Sequence, residues 1–399
     1  MILWVLPDAG DRSKEKYADF IARFKKENPS IDVSVRVFTR NILWRRMFTI
    51  KHPTYEEEIP DIIQIPHYWT ALLVREGVAA NLSELDPGLS LTNCLVPLKN
   101  HCYQPGTKDI YSYPWWFDVS ALHYRPDHLK LVSSNPAKDL STWNGLLKIC
   151  AALREKFKDV PGYYPVQNSD WRGSLSMRHA LPCVWGKGAD LVSADFKNTS
   201  VGTRAFKEGL RAYINLALND YMPILRERGS LGTMASGKAS LILSRKQGSF
   251  NARRGVQIRT LPVPTTGTSS QAYLSGMNLF INTLSQEKKN ALKFIKFCAR
   301  PENQIAYASM IDAFPAFEDA FERVAFASPV RLQTYSNILA SARTLPNITI
   351  TGTIMEILKR ILALCATQIV AGKFSASFLD KQLDGAAKEI QQLLSIYEG

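Results

Sequence analysis

The amino-acid sequence predicts an α/β protein of two lobes, each built on a mainly parallel sheet flanked by helices. Three observations indicate this architecture. The chain has 399 residues, which is more than one hydrophobic core usually serves. Hydrophobic residues make up 46% and charged residues 21%, as in globular proteins. The first sixty residues alternate strand-like and helix-like segments, an order typical of a parallel sheet covered by helices.

The N-terminal segments show why each element is expected. The continuous apolar run at 2–6 is typical of a strand buried on both faces. Within 13–29, apolar residues recur at helical spacing, and a proline closes the pattern. At 31–37, apolar and polar residues alternate, which predicts a half-buried strand. Further along we expect a strand at 61–65 and a helix at 69–76.

The rest of the chain continues this mixture of strands and helices. We expect further strands at 121–124, 256–264 and 276–282, a strand at the end of 231–243, and helices at 143–157, 203–219, 285–299 and beyond 328. The stretch 161–190 is rich in Gly, Pro and Trp, so we expect it to be irregular. The polar segment 265–271 has the composition of a linker.

The formal net charge is +13, and such a basic surface invites an anionic partner. One basic cluster flanks a Gly-Ser-Phe turn and consists of Arg245, Lys246, Arg253 and Arg254. A nucleic-acid interface would also need interleaved aromatic residues or a known module, and the sequence offers neither. We therefore interpret the charge as a surface property and expect no nucleic-acid partner.

The sequence contains no recognisable catalytic or metal-binding motif. Six cysteines lack CxxC spacing and six histidines lack HExxH, so we expect no metal and no cofactor. The segment 186–191 begins like a dinucleotide loop but lacks the third glycine. Only Cys94 and Cys102 have a spacing that leaves a disulfide open as an alternative to free thiols.

The apolar segments do not predict a transmembrane helix. No apolar run reaches about 18 residues, the length that a membrane span needs. The apolar run at 1–6 is too short for the core of a signal peptide. Either the protein is cytoplasmic, or it is exported and its signal segment is absent from this sequence.

The tryptophans give the clearest indication of a binding site. Five of them lie at strand ends or in loops beside Gly, Pro and polar residues: Trp44, Trp69, Trp115, Trp116 and Trp171. Ligands of α/β proteins bind beyond the carboxyl ends of the strands. Flat aromatic faces beside Asp, Asn and Arg suit a sugar, whose ring packs on them while polar groups bind its hydroxyls.

A series of modest motifs in a fixed order then indicates a family. The motifs lie at 24–33, 60–64, 76–82, 113–118, 121–124, 142–146, 234–240, 261–264, 276–281, 291–297 and 313–316. With them the chain resembles the extracellular solute-binding proteins of ATP-binding-cassette (ABC) importers. Within that superfamily it is similar to the branch, family 1, that binds maltose, other oligosaccharides and glycerol-3-phosphate.

The resemblance implies the two-lobe periplasmic binding protein type II fold. Lobe 1 would comprise 1–112 and 265–313, and lobe 2 would comprise 113–264 and 314–399, with the hinge crossed about three times. Ligand would bind between the lobes and close them. The closed form would dock on the transmembrane permease subunits of the importer. The protein would be a periplasmic or extracellular monomer, either secreted or held by a lipoprotein anchor.

The resemblance also implies ligand-binding residues where the motifs match. These are Trp69, Trp115, Trp116, Asp118, Gly276 and Asn278. Trp44 and Arg12 are added from their position in loops, and Trp171 from the set of loop tryptophans. Where the family often has Gly-Pro-Trp after the strand at 234–243, this chain has Arg-Lys-Gln-Gly-Ser-Phe, and Phe250 is expected to supply the aromatic face.

The sequence thus predicts a non-catalytic receptor that binds a sugar or oligosaccharide and delivers it to a permease. One alternative is a receptor for an anionic ligand such as glycerol-3-phosphate, a uronate or a sugar phosphate. Others are a sugar-sensing protein and a sugar-acting enzyme, which would need two carboxyl groups across the cleft.

Overall fold

The computed structural model describes residues 1–8, 10–50, 59–167, 175–224, 234–244, 255–267, 269–324 and 329–397. The chain divides into two compact units. The first unit comprises Met1–Asp118, Ser275–Ala325 and Thr344–Thr351. The second unit comprises Val119–Leu274, Phe326–Arg343 and Gly352–Gly399. The lobe boundaries expected near 112, 265 and 314 remain a prediction about which parts of the chain move together.

Strands and helices alternate from β1 to α3, and beyond this they follow one another in short groups of the same type. The strands are β1 (Ile2–Val5), β2 (Ser34–Val37), β3 (Ile62–Pro66), β4 (Tyr113–Val119), β5 (Ala121–Tyr124), β6 (Val166–Gln167), β7 (Leu241–Ser244), β8 (Arg259–Leu261), β9 (Ala272–Ile281), β10 (Phe314–Pro315) and β11 (Ala342–Arg343). The α-helices are α1 (Ser13–Glu27), α2 (Arg40–Thr49), α3 (Thr70–Arg75), α4 (Leu82–Leu85), α5 (Val96–Lys99), α6 (Pro126–Leu129), α7 (Pro136–Asp139), α8 (Trp143–Lys156), α9 (Met177–Gly186), α10 (Arg204–Leu218), α11 (Lys288–Ala299), α12 (Pro301–Ile311), α13 (Glu318–Arg323), α14 (Pro329–Ala340), α15 (Thr351–Val370) and α16 (Ala376–Tyr397). Short 3-10 turns lie at Gly10–Arg12 and His67–Trp69.

One sheet has the strand order β10-β4-β9-β3-β1-β2, and β11 pairs with β9 off this path. Strand β1 is parallel to both neighbours, with Leu3 opposite Val35 on β2 and opposite Ile62 on β3. The carboxyl ends of β1, β2 and β3 therefore meet at one edge, as the N-terminal βαβ pattern predicts. Strand β9 is antiparallel to β3.

The sheet of the second unit corrects one part of the predicted fold class. It has the order β6-β7-β5-β8, and β5 is antiparallel to both β7 and β8. Only the β6–β7 pair is parallel among the described strands of this sheet. The α/β class is confirmed, but a mainly parallel second sheet is wrong. The pattern of apolar residues reports burial of a strand and carries no information about its direction.

Aromatic side chains form much of the core of the first unit. Phe24 on α1 lies 5.1 Å from Phe294 and 5.3 Å from Phe297 on α11, measured between ring centroids. Phe20, one turn earlier on α1, lies 5.2 Å from Tyr307 on α12. These rings recur at helical spacing, so the pattern that predicts α1 also predicts the face by which it packs.

The stretch 161–190, which we expected to be irregular, contains the helix α9. Pro182 lies inside this helix, and its presence misled the prediction. Most residues of α9 are buried, and α10 packs on it where Gly209 faces Val184. Long-range packing of an apolar helix thus overrides a local signal that normally ends one.

Gly209 lets α10 approach α9 closely, so a side chain there should destabilise the protein. A Cβ at this position would lie 2.5 Å from Val184 Cα and 2.9 Å from the Cys183 carbonyl oxygen. We expect Gly209→Ala to lower the free energy of unfolding by about 2 kcal/mol, because overpacking against backbone outweighs the better helix propensity of Ala. Urea unfolding measures the change.

Gly385 provides the matched control, since it also lies within a helix, α16, and a Cβ there would meet no atom within 4 Å. Gly385→Ala should leave stability unchanged or raise it by up to about 1 kcal/mol. Equal effects of the two substitutions would contradict the close α9–α10 contact.

All six cysteines are buried free thiols, including the two that the sequence left open as a pair, Cys94 and Cys102. Burial raises the pKa of Cys102 to about 12, so this thiol stays protonated at neutral pH. Within the described part of the chain, no helix combines the length and apolar character of a membrane span.

Candidate functional site

The carboxyl ends of β1, β2 and β3 carry the most distinctive side chains of the first unit. Asp8 follows β1, the helix α2 with Trp44 follows β2, and the turn that ends at Trp69 follows β3. Because these three strands are parallel, the residues that follow them lie along the same edge of the sheet. We call this edge, with Asp8, Trp44 and Trp69, the candidate site.

Asp8 is the polar centre of the candidate site, and its Oδ2 atom is surrounded by donors. Trp116 Nε1 donates to it at 3.2 Å and the Tyr307 hydroxyl at 3.1 Å. Gln64 Nε2 donates at 2.5 Å. The Tyr17 hydroxyl lies 3.1 Å from the same oxygen and 2.9 Å from Gln64 Oε1. Four elements of the first unit (α1, β3, β4 and α12) therefore hold one carboxylate oxygen.

The second oxygen of Asp8 is in a different position. Oδ1 has no hydrogen-bond partner among the described residues, and the side chain is partly exposed. A carboxylate oxygen in this position is free to accept a hydrogen bond from a ligand. Asp8 is thus oriented by the protein through one oxygen and presents the other.

Burial and hydrogen bonding act in opposite directions on Asp8. Burial is the larger effect and raises the pKa of Asp8 from 3.8 to about 6, while the donors Gln64, Tyr307, Tyr17 and Trp116 lower it. The carboxyl group is therefore ionised at neutral pH. Because its pKa is higher in the folded state, its charge opposes folding above pH 6, and this penalty disappears below about pH 3.8.

An aromatic cluster of Trp44, Phe48 and Trp69 follows the strands β2 and β3 at the same sheet edge. The Trp44 ring centroid is 4.6 Å from that of Trp69 and 5.0 Å from that of Phe48. Trp69 is buried, Trp44 is partly exposed, and Phe48 has 45% of its surface exposed. Trp44 therefore covers Trp69 and presents the accessible aromatic surface of this pair.

The two adjacent tryptophans of β4 have different surroundings. Trp115 is 1% exposed, and its ring stacks on Tyr307 with centroids 3.9 Å apart and an angle of 19°. Trp116 is also buried but reaches the candidate site through its hydrogen bond to Asp8. Asp118, in the same strand, is 9% exposed. Their direct contact with a ligand remains a prediction.

The predicted residues of β9 make contacts inside the first unit. The Gly276 amide donates to His67 Nδ1 at 2.6 Å, and a Cβ at Gly276 would lie 2.6 Å from Leu98 Cδ2. Asn278 is fully buried, and its Nδ2 donates to Ser112 Oγ at 2.8 Å. These contacts explain why Gly and Asn suit the two positions as parts of the core. A role for them in ligand binding remains a prediction.

Of the three remaining predicted residues, Arg12 is the one that the structure describes. Arg12 is exposed and its Nε lies 3.2 Å from Glu15 Oε2. Trp171 and Phe250 lie outside the described residues, as does the basic cluster around 245–254.

In the second unit, a buried polar cluster holds the segment that leads into β7. Arg125 Nη1 donates to the Met234 carbonyl oxygen at 2.7 Å, and Arg125 also pairs with Asp127. His128 Nδ1 lies 2.8 Å from Ser240 Oγ. The cluster therefore fixes the start of β7, whose carboxyl end precedes the predicted aromatic loop. In the described ranges, no three His, Cys, Asp or Glu side chains are grouped so as to hold a metal ion.

Asp8 and its partners were not predicted from the sequence. Asp8 has the same signal as Trp69, since both directly follow a buried strand at its carboxyl end. Gln64 is also visible in the sequence, as the one polar residue within the apolar strand β3. Tyr307 has no such local signal, because it lies 299 residues from Asp8.

Solved structures with the same fold cover nearly the whole chain. An ABC substrate-binding protein from Listeria monocytogenes, in complex with cycloalternan, has 14% identity and a TM-score of 0.81, covering 99% of this chain and 98% of that chain. Maltose-bound MalE3 of T. maritima has 18% identity and a TM-score of 0.81, covering 98% and 100%. A maltotriose-bound maltotriose-binding protein of Thermus thermophilus has 16% identity and a TM-score of 0.77, covering 98% and 99%.

These similarities establish the fold, which is that of the two-lobe binding proteins. A comparison with curated proteins gives no significant match. The family described as bacterial extracellular solute-binding protein matches residues 19–334, which is most of the chain and includes the strands β2 and β3 of the candidate site. The protein therefore belongs to the bacterial extracellular solute-binding protein family.

Proposed function

We propose that the protein binds a neutral saccharide at the candidate site and delivers it to the permease of an ABC importer. The observation that carries this proposal is the pairing of an oriented acceptor, Asp8, with the accessible aromatic surface of Trp44. A sugar ring offers an apolar C–H face to an aromatic ring and hydroxyl donors to a carboxylate. The structures with the same fold whose names include maltose, maltotriose and cycloalternan support this ligand class.

The charges at the candidate site favour a neutral ligand over an anionic one. Among the described residues, no lysine or arginine hydrogen-bonds to Asp8, so its negative charge is uncompensated there. Arg40, at the start of α2, donates to the Tyr68 hydroxyl at 2.8 Å. An anion close to Asp8 would therefore be repelled by a carboxylate that no described lysine or arginine neutralises through a hydrogen bond.

Membership of the family supports an extracellular location, a permease partner and binding without turnover, and the other features are proposed from the sequence. We propose that the protein acts outside the cytoplasm, as a secreted protein or with a lipoprotein anchor. It binds its ligand without chemical turnover, as a monomer, and does not bind nucleic acid. Its protein partner is the pair of transmembrane permease subunits.

A thermal-shift screen tests the ligand class. The panel contains glucose, maltose, maltotriose and cycloalternan as neutral ligands, with glycerol-3-phosphate, glucuronate and glucose-6-phosphate as anionic ones. A ligand at 100 times its dissociation constant should stabilise the protein by about 2.7 kcal/mol. We expect shifts with neutral saccharides. Shifts with the anionic ligands alone would contradict the proposed class, and no shift with any saccharide would contradict the function.

Replacement of Trp44 tests the aromatic part of the site. We expect Trp44→Ala to weaken binding of the saccharide identified in the screen by about tenfold, because an aromatic contact contributes about 0.5–1.5 kcal/mol beyond the area it buries. Isothermal titration calorimetry measures the affinity. Phe196→Ala is the control, since Phe196 is an aromatic residue of the second unit that is 39% exposed. Equal affinities of Trp44→Ala and the control would exclude Trp44 from the site.

A further inference from the structure

The two oxygens of Asp8 differ in a way that fixes where a proton can bind. Oδ2 receives hydrogen bonds from Gln64, Trp116 and Tyr307, and the Tyr17 hydroxyl lies beside it. A proton on Oδ2 would point at groups that are themselves donors. Oδ1 has no partner among the described residues and is the oxygen that accepts a proton without displacing one of these bonds.

We infer that Asp8 binds the saccharide through Oδ1 and that acidification places a proton on this same oxygen, which turns a charged acceptor into a neutral donor and weakens saccharide binding. The inference rests on the proposed function and adds to it a site of protonation and a direction of pH dependence. The proton comes from solvent, and no covalent bond is formed or broken.

Among the described residues, the side chains that hydrogen-bond to Asp8 carry no charge at neutral pH. The element α1 contributes Tyr17 and α12 contributes Tyr307, and burial raises the pKa of each above the ordinary value of 10.0. Both hydroxyls therefore remain protonated between pH 5 and 8. The other two elements contribute Gln64 from β3 and Trp116 from β4, which do not titrate. Burial of Asp8 raises its pKa to about 6, so its carboxyl group gains or loses its proton within this pH range.

Protonation changes Asp8 Oδ1 from a hydrogen-bond acceptor into a donor. Above pH 6, ionised Asp8 offers Oδ1 as an acceptor to a sugar hydroxyl. Below pH 6, the same atom carries a proton, and the hydroxyl that was donating to it must turn to accept instead, so a hydrogen bond to a charged oxygen is replaced by a weaker one between neutral groups. If only the ionised form binds, the affinity is reduced by the ionised fraction, which is about one tenth at pH 5.

The variant Asp8→Asn imitates the acid form at every pH. The donors around Oδ2 select the carboxamide oxygen for that position, so the amide nitrogen takes the place of Oδ1. The outer atom is then a permanent donor. Asp32→Asn is the matched control, because Asp32 is an exposed carboxylate of the same unit that precedes β2 and therefore lies at the opposite edge of the sheet.

The experiment is calorimetric titration at pH 5.0 and pH 7.5 with maltotriose, or with another neutral saccharide if the screen gives a larger shift for it. We expect the wild type and Asp32→Asn to bind about tenfold more weakly at pH 5.0. Asp8→Asn should bind weakly at both pH values, with a difference of less than about twofold. Circular dichroism at both pH values confirms that each variant is folded.

The possible failures are distinct. Tight binding by the wild type at both pH values would overturn the inference and leave the proposed function in place. A pH dependence in Asp8→Asn equal to that of the wild type would assign the titration to another group and overturn the inference. Absence of saccharide binding at both pH values would overturn the proposed function, and the inference with it.

Discussion

Replacement of Trp115 with alanine is expected to lower the free energy of unfolding by about 3–5 kcal/mol, the range for loss of a buried Trp or Phe side chain. The ring is 1% exposed, stacks on Tyr307, and lies 6.0 Å from Phe20 between ring centroids. Its removal would leave a cavity beneath the candidate site that the surrounding rings cannot fill. Urea unfolding followed by circular dichroism measures the loss.

The adjacent residue provides the comparison. Trp116→Phe keeps an aromatic ring but removes the Nε1 donor to the ionised Asp8, so its effect on stability should be about 1.5–3 kcal/mol, the range for a hydrogen bond to a charged group. The two substitutions therefore separate a tryptophan that supports the core from one that orients the site. A loss below about 1 kcal/mol for Trp115→Ala would show that the Trp115–Tyr307 stack contributes little.

Removal of the Asp8 carboxylate is expected to weaken saccharide binding by about 100-fold. A hydrogen bond to a charged group contributes about 1.5–3 kcal/mol, and each 1.4 kcal/mol corresponds to a factor of ten in affinity. Asp8→Ala also removes the acceptor that holds Gln64 and Tyr307 in place. The expected loss of binding free energy is therefore near the upper end of this range of about 1.5–3 kcal/mol. Calorimetric titration at pH 7.5 with the saccharide from the screen measures the change.

The control for this prediction is Asp32→Ala, which removes a carboxylate from the opposite edge of the same sheet. It should bind the saccharide as the wild type does. If Asp8→Ala bound within threefold of Asp32→Ala while remaining folded, the ligand would lie elsewhere, and the candidate site would have to be abandoned.

The parts of the fold that local pattern determines could be predicted from the sequence. The strands β1 to β3 and the helix α1 follow from apolar periodicity, and their order gives the parallel edge at which Asp8 and Trp69 lie. The direction of β5 relative to β7 could not be predicted, because periodicity is the same for parallel and antiparallel strands. The helix α9 was missed because burial by tertiary contacts outweighs the effect of Pro182.

The part of the candidate site that local sequence pattern indicates could be predicted, and the part that depends on long-range contacts could not. Tryptophans beside strand ends indicated an aromatic surface, and the structure brings Trp44 and Trp69 into contact. The centre of the site depends on Tyr307 and Trp116, which reach Asp8 from 299 and 108 residues away. Such contacts are set by the folded chain as a whole. Nothing in the motif at 113–118 distinguishes Trp115, which stacks in the core, from Trp116, which reaches Asp8.

A crystal structure of the protein with the bound saccharide from the screen, grown near pH 7.5, tests the central claim most directly. We predict a sugar hydroxyl within hydrogen-bond distance of Asp8 Oδ1 and a sugar ring packed against Trp44. A saccharide bound elsewhere, with Asp8 Oδ1 and Trp44 both in contact with solvent, would contradict it.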